Sequence, residues 1–203
     1  MILIAIVALF INACNKDEND PEPIVNINDN KFLNALIEAG IDTDNDSIIS
    51  PEEAAVVTIL EIDYDSITDL SGLESFINLE KLSCSHNLIR IADFSANKAL
   101  KKLEIESNPL VSVNLTGNNV LEELYCKNNK LKNLDCTQNN LLQTVECSNN
   151  ALKTLRFGNN IELKELKCDE NKLEIIEISA CSNIDKLHCQ LNNLSEFDLS
   201  NNL

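Results

Sequence analysis

Leu79, Leu100, Leu121, Leu142, Leu163 and Ile184 stand at a constant step of 21 residues. Three residues beyond each come Leu82, Leu103, Leu124, Val145, Leu166 and Leu187, and two further Cys84, Ile105, Cys126, Cys147, Cys168 and Cys189. After three more positions the column is invariant: Asn87, Asn108, Asn129, Asn150, Asn171 and Asn192. Six copies in fixed phase constrain the fold strongly. A unit this short cannot bury its own apolar face, so it must stack on its neighbours. Each unit also echoes itself at a distance of ten. Leu131, Leu134, Cys136 and Asn139 repeat Leu121, Leu124, Cys126 and Asn129, and Leu152, Leu155, Phe157 and Asn160 do the same one unit later.

In "LEELYC" the alternation of Leu124 and Cys126 inward with Tyr125 outward has the period of a short strand. Strands repeating at this step pair in parallel, coil on coil, at about 4.8 Å. The Asn side chains then fall where the chain turns away, and their amides can satisfy backbone groups of two coils at once.

The spacing L-x-x-L-x-L-x-x-N-x-L resembles a leucine-rich repeat, and its nested halves resemble the bacterial class with 21-residue units, over residues 79–203. Val57, Leu60, Ile62, Ile67 and Leu70 form one earlier unit in the same phase, with Asp65 in place of Asn. Its tail "ITDLSGLESFINLEKL" has a 22-residue register and resembles an internalin-type repeat. The resemblance implies a right-handed solenoid of short parallel strands and irregular coil. It spans 57–203 in seven coils, the last ending one residue early at Leu203. Further repeats or another module are expected beyond that point.

The cysteines are read through this alignment. Cys126 shares an interior slot with Ile105, and Cys136 shares one with Leu115 and Phe157. A position that accepts Cys, Ile, Leu or Phe selects a buried hydrophobe. Metal binding needs converging Cys-x-x-Cys-like spacings, and none occurs. A catalytic thiolate needs a neighbouring base, whereas His188 and His86 fall on outward positions. Stacked slots leave disulfides open as an alternative. Seven thiols other than Cys14 is an odd number, and Cys181 lies off the column, so buried free thiols are expected.

Residues 1–13, "MILIAIVALFINA", are apolar but too short to span a bilayer, and read as a signal segment, although no Lys or Arg precedes them. Ile11-Asn12-Ala13-Cys14 resembles a bacterial lipobox, which implies lipidation of Cys14. Residues 14–27, "CNKDENDPEPIVNI", are too charged to order themselves and read as a tether. Its Lys16-Asp17-Glu18 run resembles the acidic signal that sends some lipoproteins to the outer cell surface. The expected location is therefore the outer membrane, exposed at the surface.

Residues 28–56 form a small helical cap in this reading. Phe32, Leu33, Leu36 and Ile37 recur at helical spacing after Asp29 or Asn30. "DTDNDSIISPEE" follows, with carboxylates at loop positions 1, 3, 5 and 12: Asp42, Asp44, Asp46 and Glu53. This resembles the EF-hand calcium loop. The resemblance implies a single structural calcium held by Asp42, Asp44, Asp46, the carbonyl of Ile48, Ser50 through water, and Glu53, with Ile49 as the apolar anchor. Ser47 stands where the family has Gly for a left-handed turn, which weakens the site. The other reading is an acidic turn capping a helix that begins at Pro51.

A net charge of −17 opposes binding to nucleic acid or a bare anionic membrane. Successive coils align the outward residues into one face. Its columns read Ser83, Glu104, Tyr125, Glu146, Lys167, His188 and Ser85, Glu106, Lys127, Ser148, Asp169, Gln190. Glu104, Tyr125, Lys127, Glu146, Lys167 and His188 are the candidate binding residues. No nucleophile–base pair or converging carboxylates appear among them, so an enzyme is not expected. The function expected is a lipid-anchored adhesion or binding module for a protein or surface glycan. The alternative is a passive spacer in a longer chain.

Overall fold

The structure, a computed structural model, describes residues 24–195, so the signal segment, Cys14 and most of the tether lie outside the described residues. It begins with two short helices, α1 (Asn30–Glu38) and α2 (Pro51–Ala55). Helix α1 buries Phe32, Ala35 and Leu36 on one face, and the Asp29 side chain caps it by accepting from the Lys31 amide at 2.7 Å. Helix α2 has Pro51 in its first turn and a reciprocal capping box between Ser50 and Glu53. It stops after Ala55, because Val57 and Leu60 are taken into the interior of the first coil.

Eleven strands of three or four residues follow: β1 (Ile59–Glu61), β2 (Lys81–Ser83), β3 (Ile91–Asp93), β4 (Lys102–Glu104), β5 (Ser112–Asn114), β6 (Glu123–Tyr125), β7 (Asn133–Cys136), β8 (Thr144–Glu146), β9 (Thr154–Phe157), β10 (Glu165–Lys167) and β11 (Lys186–His188). Seven make one parallel sheet, in the order β1-β2-β4-β6-β8-β10-β11. Its register sets Leu60, Leu82, Leu103, Leu124, Val145, Leu166 and Leu187 in a single row, as the 22- then 21-residue step requires. The half-repeat echo produces a second side, where β3 pairs with β5 and β7 with β9. Strands β5 and β7 do not pair, and a shallow cavity of about 100 Å³ lies at this seam, between Val113–Thr116 and Asp135–Asn139.

The two sides enclose one continuous core of Leu, Ile, Val, Phe and Cys. Burying each large aliphatic contributes about 1.5–3 kcal/mol, and that gain exists only while coils are stacked. The Asn column supplies the polar half of the design. The Asn129 amide donates to the carbonyls of Ile105, Cys126 and Lys127, and its oxygen accepts from the Leu110 amide. Asn150, Asn171 and Asn192 repeat this pattern one coil at a time. A second ladder, unforeseen as a column, runs through Asn97, Asn118, Asn139 and Asn160, each donating to the preceding coil. Cys181 takes the next slot of that ladder and is fully buried, which explains its place off the strand column.

The residue before each strand-side Asn, or before Asp65 in the first coil, is left-handed. Tyr64, His86, Ser107, Asn128, Asn149, Glu170 and Leu191 all have φ between 51° and 66°. The tight turn leaving the strand demands this conformation even where the side chain disfavours it.

All seven described cysteines are free thiols, six of them buried. Cys189 is half-buried, together with Ile184 and Leu187 of the same coil. Phe157, expected in the interior, is also only partly buried. At the opposite end the core is covered. Phe32, Leu36 and Ile49 are at most 1% exposed, and the Val25 amide donates to the Ile49 carbonyl at 2.8 Å. Gly72 (φ +104°) admits this segment closely, since a Cβ there would lie 2.7 Å from Ile27 Cγ1.

Candidate functional site

Two places gather chemistry, the acidic loop between the helices and the outer face of the long sheet. In the loop, one oxygen from each of Asp42, Asp44 and Asp46 lies within 4.8 Å of the others. Calcium–oxygen distances of about 2.3–2.6 Å place opposite ligands about 5 Å apart, so these three atoms fit one coordination shell. Asn45 and Ser47 adopt φ of 64° and 68°, so Ser47 makes the left-handed turn that glycine normally makes. The turn is tied from inside. Asp42 accepts from the amides of Asp46 and Ser47, and Asp46 accepts from the Ile48 amide.

Glu53 is not in this cluster. Its Oε1 accepts from the amide and hydroxyl of Thr43, and its Oε2 from the amide and hydroxyl of Ser50. These bonds hold its carboxyl down at about 2, the Ser50 amide contributing most. Ser50 likewise serves as the helix cap, and the Ile48 side chain is exposed while Ile49 is buried. The loop thus brings three of the six expected ligands together and assigns Ser50 and Glu53 to the capping box. Asp44 reports the crowding. The Asp46 amide pulls its carboxyl down, but desolvation and the charges of Asp46, Glu53 and Asp42 outweigh it and raise the pKa.

On the sheet face, Glu104, Tyr125, Lys127, Glu146 and Lys167 lie in adjoining coils, and ion pairs join Lys127, Glu146 and Lys167. Lys127 reaches Glu106 at 3.3 Å and Glu146 at 3.0 Å, and Lys167 reaches Glu146 at 3.5 Å and Glu165 at 3.2 Å. Lys102 reaches Glu104 and Glu123 and also lies 5.0 Å from the Tyr125 ring centroid. The Tyr125 hydroxyl donates to Glu123 at 3.0 Å, and burial with that bond raises the phenol to about 12. His188 stands exposed at the edge of the last strand.

The sequence reading missed the flanking column Lys81, Lys102, Glu123, Glu165 and Lys186, which carries half of this charge chain. Its signal was available as the residue two before each member of the Tyr125 column. Ser83 and Ser85, expected to be outward and open, are outward but buried. They pack beside Asp63, which accepts from the Ser83 hydroxyl and the Ser85 amide.

The fold and face together define a leucine-rich repeat solenoid. No known family profile matches the sequence, and no curated protein is detectably similar to it. Solved structures are. Internalin C2 from Listeria monocytogenes is 20% identical with a TM-score of 0.55, over 86% of this chain and 90% of that one. The functional domain of InlJ from Listeria monocytogenes, described as including a cysteine ladder, is 24% identical with a TM-score of 0.37. That match covers 76% of this chain, which spans only 49% of the InlJ domain. A leucine-rich repeat protein of Leptospira interrogans is 20% identical with a TM-score of 0.33, over 66% of this chain and 48% of that one. Among the described residues no helix is long and apolar enough to cross a membrane.

Proposed function

We propose that this chain is a surface-displayed binding module, anchored through a lipid on Cys14 in the outer membrane, that engages a protein or surface glycan with its long sheet face. The observation supporting this reading is the continuity of that face. Seven parallel strands place Tyr125 among lysines and carboxylates on a rigid platform. Repeat proteins bind through such surfaces, and a half-buried aromatic flanked by both charge signs is a typical anchor. One observation favours the spacer reading instead: the lysines of the face already satisfy its glutamates.

A pull-down with the displayed protein separates the two. Tyr125→Ala with Lys127→Glu is expected to lose the captured partner while the melting temperature holds. Equal capture by wild type and variant would leave the spacer reading standing.

A calcium ion in the 42–53 loop is part of the same proposal. Asp42, Asp44 and Asp46 would hold it. When bound, the ion supplies charge neutralisation that ties the helical cap to the repeats. Asp42→Ala with Asp44→Ala is expected to abolish a calcium-dependent rise in melting temperature. A wild-type chain whose melting point ignores both calcium and chelator has no such site.

A further inference from the structure

We propose that the turn leaving the first coil docks an arginine- or lysine-bearing segment of a partner protein, with Tyr64 as the anchor. The inference rests on the reading of the chain as a binding module, but concerns a surface apart from Tyr125.

The Tyr64 and His86 rings stack in parallel, with centroids 4.3 Å apart and 6° between planes. Both occupy the left-handed turn of successive coils, so coil register sets the stack. His86 covers one face of Tyr64, yet Tyr64 remains 71% exposed, the most exposed aromatic among the described residues of an aromatic-poor chain. Asp63 and Asp65 are the chain neighbours of Tyr64 on either side. Burial, then Glu38, then Asp63 raise the Asp65 carboxyl, so the three charges act on one another.

The contrast with the sheet face decides the occupant. There, Glu61, Glu104, Glu106, Glu123, Glu146 and Glu165 each pair with a lysine. Among the described residues no Lys or Arg lies within ion-pair distance of Glu38, Asp63 or Asp65. An open π-face beside uncompensated carboxylates recognises a cation on a flat or flexible side chain, guanidinium best of all. The net charge of −17 draws basic partners toward it and repels anionic ones.

The test titrates the full chain with an oligoarginine peptide of about nine residues at about 0.15 M salt, followed by amide chemical shifts and affinity. The largest shifts are expected at Tyr64, Asp65 and His86. Tyr64→Asn, which keeps a residue tolerant of the left-handed backbone, is expected to weaken binding about 3- to 30-fold. Glu38→Gln with Asp65→Asn is expected to weaken it about tenfold, whereas Glu162→Gln with Glu170→Gln, the same charge loss elsewhere, changes it less than about twofold. Equal weakening by the two charge pairs, shifts centred elsewhere, or no binding overturns the proposal. Tyr125→Ala leaves peptide binding intact if the two surfaces are separate, so failure of the sheet-face reading remains distinguishable.

Discussion

The Asp29 carboxylate accepts from both the amide and the hydroxyl of Thr68, each at 2.7 Å, while capping its own helix through Lys31. One side chain thus holds helix α1 to the first coil across 39 residues of sequence. Burial works against its ionisation, but the bonds from Thr68, Lys31 and Asp69 prevail and lower its pKa to about 2. A depressed carboxyl contributes stability above its unfolded value near 3.9 and loses it as pH falls toward about 2. Asp29→Asn is expected to flatten the acid limb of a stability–pH curve between about pH 4 and 2. Allowing for solvent screening, its cost at neutral pH is about 1–2 kcal/mol. An unchanged acid limb would refute the assignment.

Asn129 makes four hydrogen bonds to backbone groups, whereas the oxygen of Asn118 is buried without a partner and only its amide is used. Asn129→Ala is expected to cost about 3–5 kcal/mol, since it orphans buried donors and acceptors together. Asn118→Ala should cost less, at about 2–3 kcal/mol, because truncation also removes an unsatisfied acceptor. Urea unfolding of the two variants measures the order, and the reverse order contradicts the accounting.

Gly158 is required by proximity and not by dihedral angle. A Cβ there would collide with the Thr137 carbonyl oxygen of the preceding coil. Gly158→Ala is therefore expected to destabilise by about 1–3 kcal/mol, despite the lower unfolded-state entropy of alanine. A stabilised variant in thermal denaturation would show that the coils separate at little cost.

The thiols offer a clean count. Burial raises Cys126 and Cys168 to about 12, so neither forms a thiolate at neutral pH. A chain beginning after Cys14 is expected to release seven sulfhydryls to a colorimetric reagent in denaturant, as the seven free cysteines require. Under native conditions the half-buried Cys189 should react first. Recovery of one or three thiols would mean that the column is cross-linked.

The row from Leu60 to Leu187 was legible because a 21-residue step and strand alternation together fix which side chains point inward. The strand-side Asn ladder was legible for the same reason, and helical spacing narrowed the first cap to Asp29 or Asn30, of which the structure uses Asp29. Three features were not. Small serines at 83 and 85 look solvent-facing by alternation, and only the position of Asp63 buries them. Glu53 matches a calcium-loop position and a capping-box position equally well in sequence, so its carboxylate could not be assigned from spacing. Cys181 replaces an Asn of the weaker second column, so its slot emerges only once the half-repeats are laid side by side.

The front sheet runs unbroken through every coil, while the rear ladder is interrupted between β5 and β7. A stack with one continuous wall and one divided wall does not bend evenly. Compliance concentrates at the gap, so the stack flexes there while either half keeps its shape. Amide hydrogen exchange is expected to be faster at 115–116 and 134–137 than at the matching positions of β9, and uniform protection would mean a uniformly stiff stack.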